Sequence, residues 1–210
     1  MKIGGFTPFT LTDFPGRVSA IIFTQGCNFR CPFCHNPSLV LPEKFSDPIY
    51  EESIINYLEM RRGRLDGVVI SGGEPTIQSD LIEFVKRIKG IGYQVKLDTN
   101  GSHPEVIRKL IDQRLIDYCA MDIKAPWHKY SLLTGKEDIC IPAVQKSIEI
   151  LLDSSIEVEF RITVVKPLIT DEDIEEVKNY LPADTPLTFQ RFFPENALRK
   201  ELFLSEEHAG

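Results

Sequence analysis

Short runs of apolar residues alternate along this chain with longer segments in which apolar residues recur at helical spacing. The short runs predict six β-strands, at about 18–24, 66–71, 93–98, 116–123, 157–165 and 186–192. The longer segments predict five α-helices, at about 47–61, 78–90, 103–113, 142–153 and 171–181. Because a helix separates each predicted strand from the next, we expect parallel strands joined by right-handed crossovers.

Helix-start signals support two of these boundaries. Asp47 before Pro48 is typical of a capping residue followed by proline in the first helical turn. Thr170 followed by Asp173 is typical of an N-cap with a first-turn acid. Six strand-helix units are two fewer than a closed eight-stranded barrel contains. The pattern therefore predicts an α/β fold, an open partial (β/α)6 barrel, with residues 1–210 forming a single domain.

Composition and charge narrow the range of partners. The net charge is −7, and the chain has no lysine- or arginine-rich segment beyond the short RRGR at 61–64. Nucleic-acid binding usually needs a basic face, so we expect no nucleic-acid partner. No apolar run reaches the 18 or so residues of a membrane span, and the amino terminus lacks the apolar core of a signal peptide. We therefore expect no membrane partner and a cytoplasmic location.

Three of the five cysteines lie within eight residues. Cys27, Cys31 and Cys34 have the spacing Cys-x3-Cys-x2-Cys in the segment FTQGCNFRCPFCHNP. A structural zinc site and an electron-carrying four-iron cluster both use four protein ligands, so three thiolates would leave one metal coordination site open. The spacing predicts an iron–sulfur cluster whose open iron binds a substrate. The alternative is a non-enzymatic zinc or iron–sulfur module, with His35 as the fourth ligand of a zinc ion.

This cysteine spacing resembles that of the radical S-adenosylmethionine (radical SAM) enzymes. More narrowly, the segment resembles the glycyl-radical-enzyme activating proteins, and the chain is similar over nearly its full length to activating proteins of anaerobic ribonucleoside-triphosphate reductases. Six segments carry the resemblance: TLTDFPGR (10–17), FTQGCNFRCPFCHNP (23–37), SGGEP (71–75), LDTNG (97–101), MDIK (121–124) and EFRITVVKPL (159–168). The family has the open partial barrel as its fold, with a cluster-binding loop that corresponds to about 25–46.

The resemblance implies a [4Fe-4S] cluster held by Cys27, Cys31 and Cys34, with S-adenosylmethionine on the open iron. An external reductant such as flavodoxin or ferredoxin would supply one electron, and cleavage of the cofactor would give a 5′-deoxyadenosyl radical. That radical would generate a glycyl radical on a partner enzyme, an anaerobic ribonucleotide reductase. Two alternatives stay open: a different glycyl radical partner of the pyruvate formate-lyase type, or a small-molecule radical enzyme resembling 7-carboxy-7-deazaguanine synthase.

The motifs follow successive predicted strands, and the chemistry of barrel folds lies at the carboxyl ends of strands. The resemblance implies that Phe33 packs on the adenine and that the segment containing Gly72, Gly73 and Glu74 binds the amino group of the cofactor. A carboxylate such as Glu74 is able to bind an ammonium group.

Polar residues after the third, fourth and fifth predicted strands extend this site. Asp98 would lie near the ribose or, with Thr99, the Met121 carbonyl and Asp122, around a monovalent cation. Lys124 would offer positive charge to the cofactor carboxylate. Arg161 on an otherwise apolar strand needs a partner, since burying an unpaired charge is costly. We expect it to pair with Glu159 or to meet the cofactor or the partner peptide.

Overall fold

The computed structural model describes residues 1–166 and 168–203, so Pro167 of the last motif lies outside the described residues. Its strands form one sheet in the order of the chain. They are β1 (Ile3–Thr10), β2 (Ser19–Thr24), β3 (Gly67–Gly72), β4 (Gln94–Thr99), β5 (Tyr118–Asp122), β6 (Glu157–Val164) and β7 (Leu187–Arg191). The helices are α1 (Pro37–Val40), α2 (Glu51–Met60), α3 (Leu81–Ile91), α4 (Pro104–Asp112), α5 (Tyr130–Thr134), α6 (Ile141–Leu152) and α7 (Asp171–Lys178).

Strands β2 to β7 are parallel, each paired with the next, which confirms the predicted α/β fold with six parallel strands. The sequence prediction missed β1, which pairs antiparallel with β2. Its sequence, IGGFTPFT, contains two glycines and a proline, residues that are depleted in strand interiors. An edge strand tolerates them because one side of its backbone needs no partner.

The sheet is curved and open. Arg17, just before β2, donates to Gln94 at the start of β4 and to Glu157 at the start of β6. A side chain that bridges β2 and β6 requires the strands between them to bend around a common interior. Strands β1 and β7 are the two edges of the sheet among the described residues.

Inward- and outward-facing positions alternate along each strand and produce two apolar clusters. The larger cluster lies between the sheet and the helices. The smaller one fills the inside of the curved sheet and contains Phe14, Ile21, Val69, Tyr118 and Ala120. Because these side chains fill the inside at the amino-terminal end of the strands, open space remains at the carboxyl ends.

One helix boundary was predicted wrongly and one is confirmed. Helix α2 begins at Glu51, four residues after the predicted cap Asp47. The backbone N–H of Ile49 donates to the carbonyl of Ile3 at 2.8 Å, which keeps this segment extended beside β1. Helix α7 has the predicted start, since Thr170 and Asp173 form a reciprocal capping box. Across the described residues, the helices are too short or too polar to cross a membrane.

Candidate functional site

A cavity of about 300 Å³ opens at the carboxyl ends of the strands. All eleven residues predicted from the sequence as site residues line it: Cys27, Cys31, Phe33, Cys34, Gly72, Gly73, Glu74, Asp98, Thr99, Lys124 and Arg161. The structure thus brings together residues from four strand-end segments and the loop after β2. The volume of the cavity is at the lower end of the range for small-molecule sites. The individual roles of the eleven residues stay predictions.

The three cysteines lie on the loop after β2. Burial raises the pKa of the Cys27 thiol to about 11 and that of Cys31 to about 12, and it also raises the pKa of Cys34. The positive charge of Lys124 opposes each of these shifts, because it favours the thiolate. The backbone N–H of Phe29 donates to Cys27 Sγ at 3.4 Å. Burial thus disfavours the thiolate form in the protein alone, and the Phe29 N–H and Lys124 are the groups here that favour it.

The arrangement of the thiols suits a cluster. Within 1–166 and 168–203, no three His, Cys, Asp or Glu side chains stand close enough together to bind one metal ion. A multi-iron cluster instead takes each cysteine on a different iron, so three thiols around one cavity fit it. His35 Nε2 accepts a hydrogen bond from the backbone N–H of Phe193 at 3.0 Å, which occupies this nitrogen. This contact therefore does not favour the alternative in which His35 is the fourth ligand of a zinc ion.

Two glycines allow the cysteine loop to approach the loop after β3. A Cβ atom on Gly73 would lie 1.9 Å from the carbonyl oxygen of Gly26. The backbone N–H of Glu74 donates to the same oxygen at 2.8 Å. The glycine at 73 is therefore required by direct backbone contact with the segment that precedes Cys27.

Glu74 is buried, and most of its hydrogen-bonding capacity is used by the protein. Its Oε1 accepts from the backbone N–H and hydroxyl of Thr76 and from Thr99 Oγ1, and Oε2 accepts from the N–H of Asn100. Burial raises the pKa of this carboxyl, whereas these hydrogen bonds favour the charged form. The carboxylate thus joins the loops after β3 and β4, and one acceptor position remains on Oε2 for a ligand.

Charged residues from three strands form a connected group on the cavity wall. Arg161 Nε donates to Asp122 Oδ1 at 2.7 Å, and Arg161 Nη1 lies 3.5 Å from Asp98 Oδ1. Lys124 Nζ donates to Asp122 Oδ2 at 2.9 Å. Burial alone would raise the pKa of Asp122, but Arg161 and Lys124 hold it well below its usual range. Arg161 thus pairs with Asp122. Pairing with Glu159 was one of the alternatives left open, and that carboxylate instead accepts from Thr188 Oγ1 at 2.5 Å.

This pairing bears on the predicted monovalent cation. Asp98 accepts from Lys96 Nζ at 2.5 Å and from Ser71 Oγ at 2.9 Å. Asp122 already has two cationic partners. Because both carboxylates are neutralised by side chains, the electrostatic attraction that would draw a further cation here is weak.

The cavity lining also contains residues that were not predicted from the sequence, among them Asp13 and Asn100. Asp13 belongs to the first motif, which does not follow a predicted strand, and it lines the cavity. Asn100 was named only as part of the motif LDTNG, and its side chain reaches the cysteine loop. Neither assignment was accessible without knowing which loops meet.

Comparison with known proteins gives a family match. The profile of the Radical SAM superfamily matches residues 21–181. A protein of Methanocaldococcus jannaschii, provisionally named a glycyl-radical enzyme activating enzyme, is 37% identical over 95% of this chain and 83% of its own length. The pyruvate formate-lyase-activating enzyme of Clostridium pasteurianum is 31% identical over 86% of this chain and 76% of its own length.

Solved structures share the fold. The chain superposes on anSMEcpe with bound AdoMet with a TM-score of 0.63 at 17% identity, covering 81% of this chain and 50% of that one. It superposes on Streptococcus suis SuiB bound to S-adenosylmethionine with a TM-score of 0.61 at 17% identity, covering 82% of this chain and 40% of that one. The chain thus spans half or less of these two structures.

Proposed function

The chain belongs to the radical SAM superfamily, and we propose that it is the activating enzyme of a glycyl radical enzyme. The family membership makes it a radical SAM enzyme. The more specific activity is supported by the relative from M. jannaschii, whose name carries that activity and whose similarity extends over 95% of this chain. The observation that carries the proposal is the convergence of all three thiols and the charged strand ends on one cavity.

We propose that Cys27, Cys31 and Cys34 hold a [4Fe-4S] cluster. When bound, the cluster would supply one electron to the sulfonium of S-adenosylmethionine, and the released nucleoside fragment would take a hydrogen atom from the partner's glycine. The protein's own contribution is to bind, orient and shield. Phe29 and Phe33 are buried beside the thiols and wall this part of the cavity from water.

The cofactor would be oriented by backbone and charge. Gly72 and Gly73 bring peptide groups next to the cavity, where they would meet its amino group, and Lys124 would bind its carboxylate. Asp98 would lie near the ribose, Thr99 beside it would line the cofactor site, and Phe33 would pack on the adenine. Arg161 would hold Asp122 and Asp98 in place. Lys124 would then lie between the thiols and Asp122, its carboxylate partner.

We propose an anaerobic ribonucleotide reductase as the partner, because six motifs of this chain resemble the activating proteins of those enzymes. The reductant would be a flavodoxin or ferredoxin, in the reducing environment of the cytoplasm. A pyruvate formate-lyase type of partner is the second candidate, and the similarity to the C. pasteurianum enzyme favours it. A small-molecule substrate, as in 7-carboxy-7-deazaguanine synthase, is a third.

The test is anaerobic reconstitution with iron and sulfide, followed by reduction and mixing with S-adenosylmethionine and each candidate glycyl radical enzyme. The expected result is a glycyl radical doublet by paramagnetic resonance with an anaerobic ribonucleotide reductase, together with release of methionine. A doublet with a pyruvate formate-lyase alone would move the assignment to that partner.

Single-residue variants test cleavage of the cofactor independently of the identity of the partner. Cys27→Ala, Cys31→Ala and Cys34→Ala should each abolish reductive cleavage of the cofactor, whereas Cys140→Ala, at an exposed cysteine, should retain it. Full cleavage by any one of the first three would disprove the ligand assignment. Cofactor cleavage without a radical on any glycyl enzyme would favour the small-molecule alternative.

A further inference from the structure

The side chain of Asn100 connects the turn after β4 to the cysteine loop. Its Oδ1 accepts hydrogen bonds from the backbone N–H of Ser102 at 3.0 Å and from Ser102 Oγ at 2.6 Å. A backbone N–H is always a donor, so this contact settles which end of the Asn100 amide is the oxygen. The amide nitrogen must therefore face the other way, towards the cysteine loop.

The amide nitrogen of Asn100 has two acceptors on that loop. It donates to Asn28 Oδ1 at 2.9 Å and lies 4.0 Å from Cys27 Sγ, at the outer limit of a hydrogen bond to sulfur. Asn100 is only 5% exposed, so these contacts take the place of water. A buried amide nitrogen has two hydrogens, and the two acceptors account for both.

The neighbouring groups hold this orientation in place. Because Asn28 Oδ1 accepts from Asn100, its amide nitrogen must be the end that donates to Ser102 Oγ at 2.8 Å. The Ser102 hydroxyl hydrogen goes to Asn100, so His103 Nδ1, 3.0 Å from Ser102 Oγ, must donate. Each group in this network has one consistent direction, and reversing the Asn100 amide would break several bonds together.

Cys27 therefore has two donors directed at its sulfur. The N–H of Phe29 lies 3.4 Å from Sγ, and the Asn100 amide approaches from a different segment. Hydrogen bonds to the sulfurs of an iron–sulfur cluster are one of the ways in which proteins set its reduction potential. A donor stabilises the more negative, reduced form, so it raises the potential.

We propose that Asn100 is a positioning residue that donates to the sulfur of Cys27 and thereby raises the reduction potential of the cluster. The proposal rests on the cluster assignment made above, and it is independent of the partner. Asn100 would act with its amide held by Ser102, so the turn after β4 sets the electronic environment of the thiolate.

The experiment is a redox titration of the reconstituted protein, without S-adenosylmethionine or partner, in which paramagnetic resonance reports the reduced cluster. Asn100→Asp replaces the donor with an oxygen of the same shape, and Asn100→Ala removes the donor without adding charge. Asn56→Asp makes the same chemical change at an exposed position of α2 and serves as the control.

Asn100→Asp is expected to lower the reduced-to-oxidised ratio at a fixed applied potential by about tenfold, a shift of about 59 mV for a one-electron couple. Asn100→Ala should shift in the same direction by less, and Asn56→Asp should match the unmodified protein. Unchanged potentials in both Asn100 variants would overturn the proposal.

Failure of both variants to assemble a cluster, measured as iron and sulfide content, would also overturn it, because the role would then be structural. If the unmodified protein assembles no cluster, the proposed function itself fails, and the two failures are thus distinguished. A potential shift in a protein that gives no glycyl radical would support the proposal while removing only the partner assignment.

Discussion

The Nε atom of Arg161 donates to Oδ1 of Asp122 at 2.7 Å, and the two residues are register partners on neighbouring parallel strands. The side chains are 12% and 22% exposed. Arg161 also lies near Asp98, so one guanidinium compensates two carboxylates that project into the cavity. The pair is therefore a structural element of the cavity wall.

Removing this guanidinium should destabilise the fold. Arg161→Ala leaves Asp122 and Asp98 partly uncompensated, and breaking a buried pair on one side costs about 3–5 kcal/mol. Because these groups are not fully buried and keep lysine partners, we expect a loss of about 3 kcal/mol in unfolding free energy, measured by urea denaturation. Lys166→Ala, at an ion pair that is 72% and 85% exposed, should change it by less than about 0.5 kcal/mol. Equal losses of unfolding free energy in Arg161→Ala and Lys166→Ala would contradict the assignment of Arg161 as the partner of Asp122 and Asp98.

The same pair predicts a pH dependence. The pKa of Asp122 is lowered in the folded state, so its contribution to stability is present above the ordinary aspartate pKa of about 3.9 and is lost as the pH falls below it. The stability difference between the unmodified protein and Arg161→Ala should therefore be largest near neutral pH. It should shrink as the pH falls below about 4, measured by denaturation at several pH values. A difference that grows towards acid pH would be inconsistent with a lowered pKa.

Gly73 is predicted to be essential for the cysteine loop. In Gly73→Ala the new methyl group would meet the Gly26 carbonyl, so the loops after β2 and β3 must separate. We expect a loss of about 1–3 kcal/mol in unfolding free energy and reduced iron uptake on reconstitution. Gly90→Ala is the matched control, since nothing lies within 4 Å of its Cβ position in α3. It should raise stability by about 0.5–1 kcal/mol, and a neutral Gly73→Ala would refute the contact.

The segment after β7 holds the far side of the cysteine loop. Phe192 stacks on His35 with ring centroids 5.5 Å apart, and the N–H groups of Leu198 and Arg199 donate to the carbonyls of Cys34 and Pro32. Burial of such a ring contributes about 1.5 kcal/mol. Phe192→Ala should therefore speed hydrogen exchange at these two amides by about tenfold.

Phe189→Ala, which removes a ring 47% exposed on β7, is the control for that exchange measurement. It should leave the two amides protected. Equal exchange in both variants would show that the segment is held by its backbone contacts and not by the ring of Phe192.

Lys124 is predicted to bind the cofactor carboxylate. A hydrogen bond to a charged group is worth about 1.5–3 kcal/mol, so Lys124→Met should weaken binding of S-adenosylmethionine by about 10- to 100-fold. Equilibrium dialysis with the oxidised, reconstituted protein measures this without turnover. Lys86→Met, at an exposed position of α3, should bind as the unmodified protein does. Unaltered affinity in Lys124→Met would remove the residue from the cofactor site.

Much of the fold could be predicted because hydrophobic spacing is a local property. The six parallel strands come from short apolar runs, and the start of α7 comes from Thr170 and Asp173, three residues apart. The wrong start of α2 has a non-local cause. Asp47 and Pro48 are good helix-start residues, but the backbone of Ile49 pairs with Ile3, far away in sequence.

The sequence by itself determined the chemistry of the site: three thiols at fixed spacing and polar residues after successive strands, which parallel strands bring to one edge. Only the tertiary structure decided how these groups are paired. Arg161 pairs with Asp122, whereas the sequence left Glu159, the cofactor and the partner peptide open, and Glu74 is largely occupied by Thr76, Thr99 and Asn100. The physical reason is that a buried charge or amide takes the nearest partner in space, and strand register and loop contacts, rather than sequence spacing, fix which partner that is.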